Sequence, residues 1–201
     1  MIVLGPTEFG RLSRLLVGSA AERLVQSAPC PVAVAPHDHR LGSARRIERI
    51  GVCWDASPEA DSALDFAALL ASEGHAELRL YEALRPLVLA YPATGESEVA
   101  YEESSTRAAG EALARARRRV PDRVVTSGKV LRGDPAHELS EQAVSDKLDL
   151  LVLGSRGFGP LKRTLLGGVS DRVMRMAACP TVIVSRAAAA GADGNAAAAG
   201  V

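Results

Sequence analysis

The sequence predicts an α/β fold with a mostly parallel sheet and helices on both faces, and three observations predict it. Strand-like apolar runs alternate with helical patterns of roughly ten to twenty residues between positions 47 and 186, and parallel strands need crossover connections of that kind. The runs LLVL at 150–153 and TVIV at 181–184 are continuously apolar, as strands buried on both faces are. Two strand-like runs end in a cap-then-proline pair, Ser57-Pro58 and Asp134-Pro135, which starts a helix where a strand stops.

Residues 1–36 form a first strand-helix-strand unit. Shifting them by 149 positions without a gap puts MIVLG on LLVLG, FGRLSRLLVG on FGPLKRTLLG and APCP on AACP, so the unit occurs twice. Residues 37–46 (HDHRLGSARR) read as a linker, and a complete domain follows over 47–186. Its first strand is IERIGVCW at 47–54, after which Ser57 caps a helix. That helix repeats Ala60, Ala63, Leu64, Ala67, Leu70 and Ala71 at helical spacing and stops near Gly74. AELRLYEA at 76–83 alternates and is the second strand. Residues 84–98, with Pro86, Pro92 and Gly95, read as an irregular loop.

A helix is expected over 101–119, presenting Tyr101, Ala108, Ala109, Ala112, Leu113 and Ala116. Arg115, Arg117, Arg118 and Arg119 cluster in its last turn, where cations suit the helix dipole, so a solvated helix end is read there. The third strand is 124–131, and Asp134-Pro135 starts a helix to about Lys147 that presents Leu139, Ala143 and Val144. The fourth strand is 149–153, a helix starts near Gly168, and TVIV is the fifth strand. Residues 187–201 have no period and little to bury and read as a disordered tail.

Composition narrows the function classes. Lys+Arg and Asp+Glu balance at 24 each, so no global field draws the chain to nucleic acid or an anionic membrane. There is no apolar stretch near the length of a membrane span, and the strand-like IVLG follows Met1 directly, so a cytoplasmic location is expected. Cys30, Cys53 and Cys179 are odd in number, lack metal-type spacing and read as buried small hydrophobes in a reducing compartment. His37 and His39 lie in the linker and His75 and His137 at helix ends, so no metal site is expected. No Ser-His-Asp arrangement or paired-carboxylate spacing stands out, and no catalytic residue is assigned.

Binding is a different matter. Open parallel sheets bind ligands outside the carboxyl ends of their strands, here Asp55, Ala83, Gly133 and Gly154. Gly154-Ser155-Arg156-Gly157, nine further residues and Gly167-Gly168 make a glycine-punctuated loop running into a helix. Such a loop can aim free amides at a phosphate, or its glycines can serve tight turns alone. It is neither a Walker A loop nor a G-x-G-x-x-G fingerprint. Asp55 can accept from a ribose, act as a metal or base carboxylate, or cap its own turn.

The G-x-x-G-x9-G pattern at 154, 157 and 167, VCWDASPEADSAL at 52–64, RGDPAHEL at 132–139 and the ending CPTVIV together resemble the universal stress protein family. The resemblance covers 47–186 as a whole domain and 1–36 as the closing part of another. It implies a five-stranded parallel sheet in the order 3-2-1-4-5, the adenine-nucleotide alpha hydrolase-like fold. It also implies dimerisation through last-strand edges and binding of ATP or a related adenine nucleotide, with or without Mg²⁺. Carried over by position, Asp55 lies by the adenosine, Ala83 offers backbone contacts to the adenine and Gly133 lies near the ribose. Gly154, Ser155, Arg156, Gly157, Gly167, Gly168, Val169 and Ser170 hold the phosphates.

Two departures qualify it. Gly168 stands where the family motif has Ser or Thr, with Ser170 two residues on as a substitute donor. In the first copy Gly18-Ser19 is intact but Glu8 takes the place of the second glycine, so no nucleotide is expected there. The strand Val32 to Ala35 is expected to pair with Thr181 to Val184, imitating the family's dimer contact inside one chain, in place of or beside a homodimer. The alternatives to an ATP-binding regulatory protein are a nucleotide-free dimerisation module and a slow ATPase or nucleotidyl transferase of the same fold.

Overall fold

The computed structural model describes residues 1–5, 23–25, 27–36, 46–86, 95–155 and 168–185. In chain order the elements are β1 (Ile2–Leu4), β2 (Val32–Val34), β3 (Arg49–Cys53), α1 (Pro58–Gly74), β4 (Glu77–Leu84), α2 (Gly95–Arg117), β5 (Thr126–Arg132), α3 (Pro135–Ser145), β6 (Leu150–Gly154), α4 (Val169–Met176) and β7 (Thr181–Val184). They form one sheet in the order β1-β2-β7-β6-β3-β4-β5. Counted from β3, the later five strands lie in the order 3-2-1-4-5 and run parallel throughout. The strand order reverses beside β3, with β4 and β5 on one side and β6 and β7 on the other. That reversal opens a crevice at the carboxyl ends.

The sheet is buried on both faces, which is why its central strands carry no alternation. One face packs Ala60, Ala63, Leu64, Ala67 and Ala71 of α1 and Ala112, Leu113 and Ala116 of α2 over Ile50, Val52, Leu78 and Leu80. The other packs Ala136, Leu139 and Ala143 of α3 and Val173 and Met174 of α4 over Tyr81, Leu151, Leu153 and Ile183. Val25 and Ala28 of the first segment, with Val32 and Val34, join that second core.

The first segment is attached at the β7 edge. β2 runs antiparallel to β7 with Val32 opposite Ile183, Ala33 opposite Val182 and Val34 opposite Thr181, and β1 adds on beyond it in parallel. Only 32–34 of the expected 32–35 are strand. Arg23, Leu24, Val25 and Ser27 are helical. Residues 6–22, with Glu8, Gly18 and Ser19, residues 37–45 of the expected linker 37–46 and the expected tail 187–201 lie outside the described residues.

The caps follow the expectation: Ser57 Oγ accepts from Ala60 N at 3.2 Å and Asp134 Oδ1 from His137 N at 3.2 Å. Several other readings are corrected. α2 starts at Gly95, inside the predicted loop, because the polar run ESEVA carries no apolar period to announce it. Tyr101 is 49% exposed and Ala108 is exposed as well. Eight residues, or about 80° of helix, separate Tyr101 from Ala109, which leads the buried stripe. Val144 is 60% exposed because the buried stripe of α3 runs through Ala136, Leu139, Ser140 and Ala143. Of the cysteines only Cys179 is buried; Cys30 and Cys53 are half-buried near strand ends. No helix of the described residues is long and apolar enough to cross a membrane.

Candidate site at the carboxyl ends of the strands

Parallel pairing brings four predicted positions to one end of the sheet. Cys53 pairs with Tyr81 and Leu153, and Ala83 with Leu131, so Asp55, Ala83, Gly133 and Gly154 all follow or close their strands at the same level. Backbone bonds tie these ends together: Trp54 N donates to Tyr81 O at 2.8 Å, Gly133 N to Leu84 O at 3.0 Å and Ser155 N to Val184 O at 2.9 Å.

Asp55 is exposed, and its Oδ1 accepts from Ser57 N at 3.1 Å, a turn bond that holds the carboxylate at the start of α1. Ala56, next to it, has φ 60°, an uncommon conformation for a residue other than glycine. Behind Asp55 the buried Trp54 donates from Nε1 to Asp61 Oδ1 at 2.9 Å. Asp61 in turn pairs with Arg119 at 3.0 Å, so one member of the Arg cluster braces α1 to the end of α2. Arg119 also reaches Asp65 at 2.9 Å.

Gly133 has φ +145°, and a Cβ there would collide with the Glu138 side chain. Beside it Asp134 accepts from Arg172 of α4 at 2.7 Å. The Arg172 guanidinium, then the His137 amide, hold the Asp134 carboxyl below its ordinary value. This pair ties the start of α3 to α4.

The two glycines that open and close the loop differ in their duties. A Cβ on Gly154 would lie 2.5 Å from the carbonyl of Glu59, so this glycine lets α1 approach β6. That is a packing reason beyond the phosphate reason read from spacing. Gly168 caps α4 with extended φ −80° and ψ 174° and no side-chain cap bond, and a Cβ there would meet nothing within 4 Å. Ser170 Oγ donates to Gly154 O at 3.1 Å, so the expected substitute donor is engaged in bracing α4 against the end of β6. Val169 is half-buried against the α3–α4 core. Arg156, Gly157 and Gly167 lie outside the described residues.

Sequence reasoning missed Glu82. It is half-buried on β4, one residue before Ala83, and its Oε2 is enclosed without a hydrogen-bond partner among the described residues. Burial first, then the neighbouring Asp55 carboxylate, push its pKa up, against the pull of Arg115. Its one signal was a charge interrupting the Leu78–Leu80 period. Elsewhere among the described residues no group of three or more His, Cys, Asp or Glu could hold a metal ion. His137 faces Glu141 at 3.6 Å on an exposed helix surface.

A sequence model of the universal stress protein family matches residues 1–36 and 46–185. Universal stress protein Rv2005c of Mycobacterium tuberculosis is 35% identical over 184 residues, covering 91% of this chain and 61% of that protein. The chain thus spans less than two thirds of the length of this relative. Universal stress protein YxiE of Bacillus subtilis is 32% identical over 141 residues, 66% of this chain and 95% of that protein. A universal stress protein crystallised in complex with cAMP is 25% identical, with a TM-score of 0.53 over 70% of this chain and 98% of that one.

Proposed function

Because this chain belongs to the universal stress protein family, we propose that it binds an adenine nucleotide, foremost ATP, and acts as a regulatory protein of the stress response. The observation that carries this reading is the convergence, beside the strand reversal, of the Asp55 turn, the Ala83 and Gly133 backbones and the Gly168 end of α4. The family member in complex with cAMP supports the same ligand class.

In this reading Asp55 accepts from the nucleoside, the backbone around Ala83 lies along the base and Gly133 leaves room for the ribose. Gly154, Ser155, Arg156, Gly157, Gly167, Gly168, Val169 and Ser170 surround the phosphates, with amides at the α4 start facing the anion. Such donors stabilise bound charge without performing a bond-breaking step, which is why the role is regulatory and not catalytic. The protein acts in the cytoplasm. Residues 1–36 are the closing part of a second unit without a pocket, and their seat on β7 takes the place of a last-strand contact with another copy.

A second reading, a nucleotide-free interaction module, is favoured by one observation: Gly168 supplies no side-chain cap to α4. Isothermal titration of ATP with and without Mg²⁺, together with mass spectrometry of ligand released from purified protein, separates the two. Saturable binding or a copurifying adenine nucleotide is expected; no binding at millimolar ATP with Mg²⁺ leaves the second reading in its place.

A further inference from the structure

We propose that Glu82 is a specificity-determining residue of the nucleotide site, accepting a hydrogen bond from an N–H or O–H donor on the nucleoside half of the ligand. The proposal rests on the nucleotide-binding reading above and names a contact that neither the glycine motif nor Asp55 supplies.

The argument starts from the strand. Along β4, Leu78 and Leu80 are fully buried on the face covered by α1 and α2, while Tyr81 and Ala83 belong to the opposite face. Glu82 continues the first face toward the carboxyl end, where a third apolar residue would complete the period. A carboxyl stands there instead, and Oε2 is shut off from solvent with no donor to satisfy it among the described residues. A buried acceptor without a partner destabilises the free protein relative to an apolar residue of similar volume.

The neighbours make the cost larger and indicate the use. Asp55, the carboxylate at the end of the adjacent β3, repels the Glu82 charge, while Arg115 on α2 attracts it. Glu82 is therefore within electrostatic reach of both Asp55 and Arg115, one residue before the strand end that offers Ala83. A phosphate is excluded from this wall by the two carboxyls. A neutral donor is what fits: an exocyclic amine of the base, or a ribose hydroxyl. Both present the same chemistry to Oε2, which has no partner among the described residues and gains one in the complex.

Two variants test this by titration calorimetry and thermal unfolding of the full chain. Glu82→Leu removes the acceptor and fills the space; Glu82→Gln keeps the shape and one carbonyl oxygen. The unfolding midpoint of free Glu82→Leu is expected to rise above wild type, while its ATP affinity falls about tenfold or more, the size of one hydrogen bond to a charged acceptor. Glu82→Gln should fall between. The wild type should discriminate against inosine relative to adenosine if the donor is the base amine, or against 2′- or 3′-deoxyadenosine if it is a ribose hydroxyl. Glu82→Leu should lose that discrimination while competition by inorganic triphosphate stays unchanged. Equal ATP affinity in wild type and both variants overturns the proposal and leaves nucleotide binding standing. A lowered midpoint in Glu82→Leu with parallel loss of ATP assigns Glu82 a structural role and overturns it too. A wild type that binds no adenine nucleotide removes both readings.

Discussion

Gly154 and Gly168 share one motif, yet the surroundings of each decide what a side chain would do. At Gly154 any Cβ meets the Glu59 carbonyl and Ala60 amide of α1, so Gly154→Ala is expected to lower stability by about 1–3 kcal/mol through overpacking. At Gly168 a side chain enters open space with backbone angles that suit a helix cap. Gly168→Ser is expected to raise stability by a few tenths of a kcal/mol and ATP affinity by roughly three- to tenfold if its hydroxyl reaches a phosphate. Urea unfolding and calorimetry on the two variants check this as a pair. A second residue-scale test lies at Asp146, which accepts from Tyr81 Oη at 2.5 Å and pairs with Arg79 at 3.0 Å. Burial pushes the Asp146 carboxyl up, but the bonds from Tyr81, Gln142 and Arg79 outweigh it and hold it below its ordinary 3.8. A depressed folded pKa contributes stability above the unfolded value, and that contribution is lost as pH falls through the folded one. Unfolding midpoints should therefore drop below about pH 4. Tyr81→Phe should cost about 1.5–3 kcal/mol at pH 7 and weaken this part of the acid response.

At the scale of elements, the helix starts that frame the site are locally encoded and the seam between β2 and β7 is not. Ser57-Pro58 and Asp134-Pro135 carry cap and proline in adjacent positions, and both start α-helices where the sequence places them. The three residues of β2 hold their place by burial: Val32 is 1% exposed and packs in the α3–α4 core with Ile183 and Ala177. Val32→Asp puts an unpaired charge into that core, at a cost of several kcal/mol unless the segment leaves. The expected outcome is release of residues 1–36 from the β7 edge while the sheet from β3 to β7 stays intact. Limited proteolysis reads it as rapid cleavage in the N-terminal segment with a resistant remainder; equal resistance in variant and wild type contradicts it.

For the whole molecule, the antiparallel seam closes an edge that would otherwise stand open. All four residues of β7 are buried, and without β2 its unpaired amides and carbonyls would form a template for another strand. A chain starting at Arg46 is therefore expected to associate in a concentration-dependent way while the full chain does not, which sedimentation equilibrium distinguishes. Much of this architecture was legible in the sequence: the alternation of elements, both cap-proline starts and the strand ends that carry Asp55, Ala83, Gly133 and Gly154. These signals are local, because periodicity and caps follow from the chain's own geometry and need no distant neighbour. What only the tertiary structure decided were the relations across the sheet. The α1 backbone lies against Gly154, Ser170 donates to Gly154 O, Arg172 reaches Asp134, and Glu82 is enclosed beside Asp55. Residues far apart in sequence meet there through strand order and register, and no spacing along the chain states which partner a buried carboxyl will find or lack.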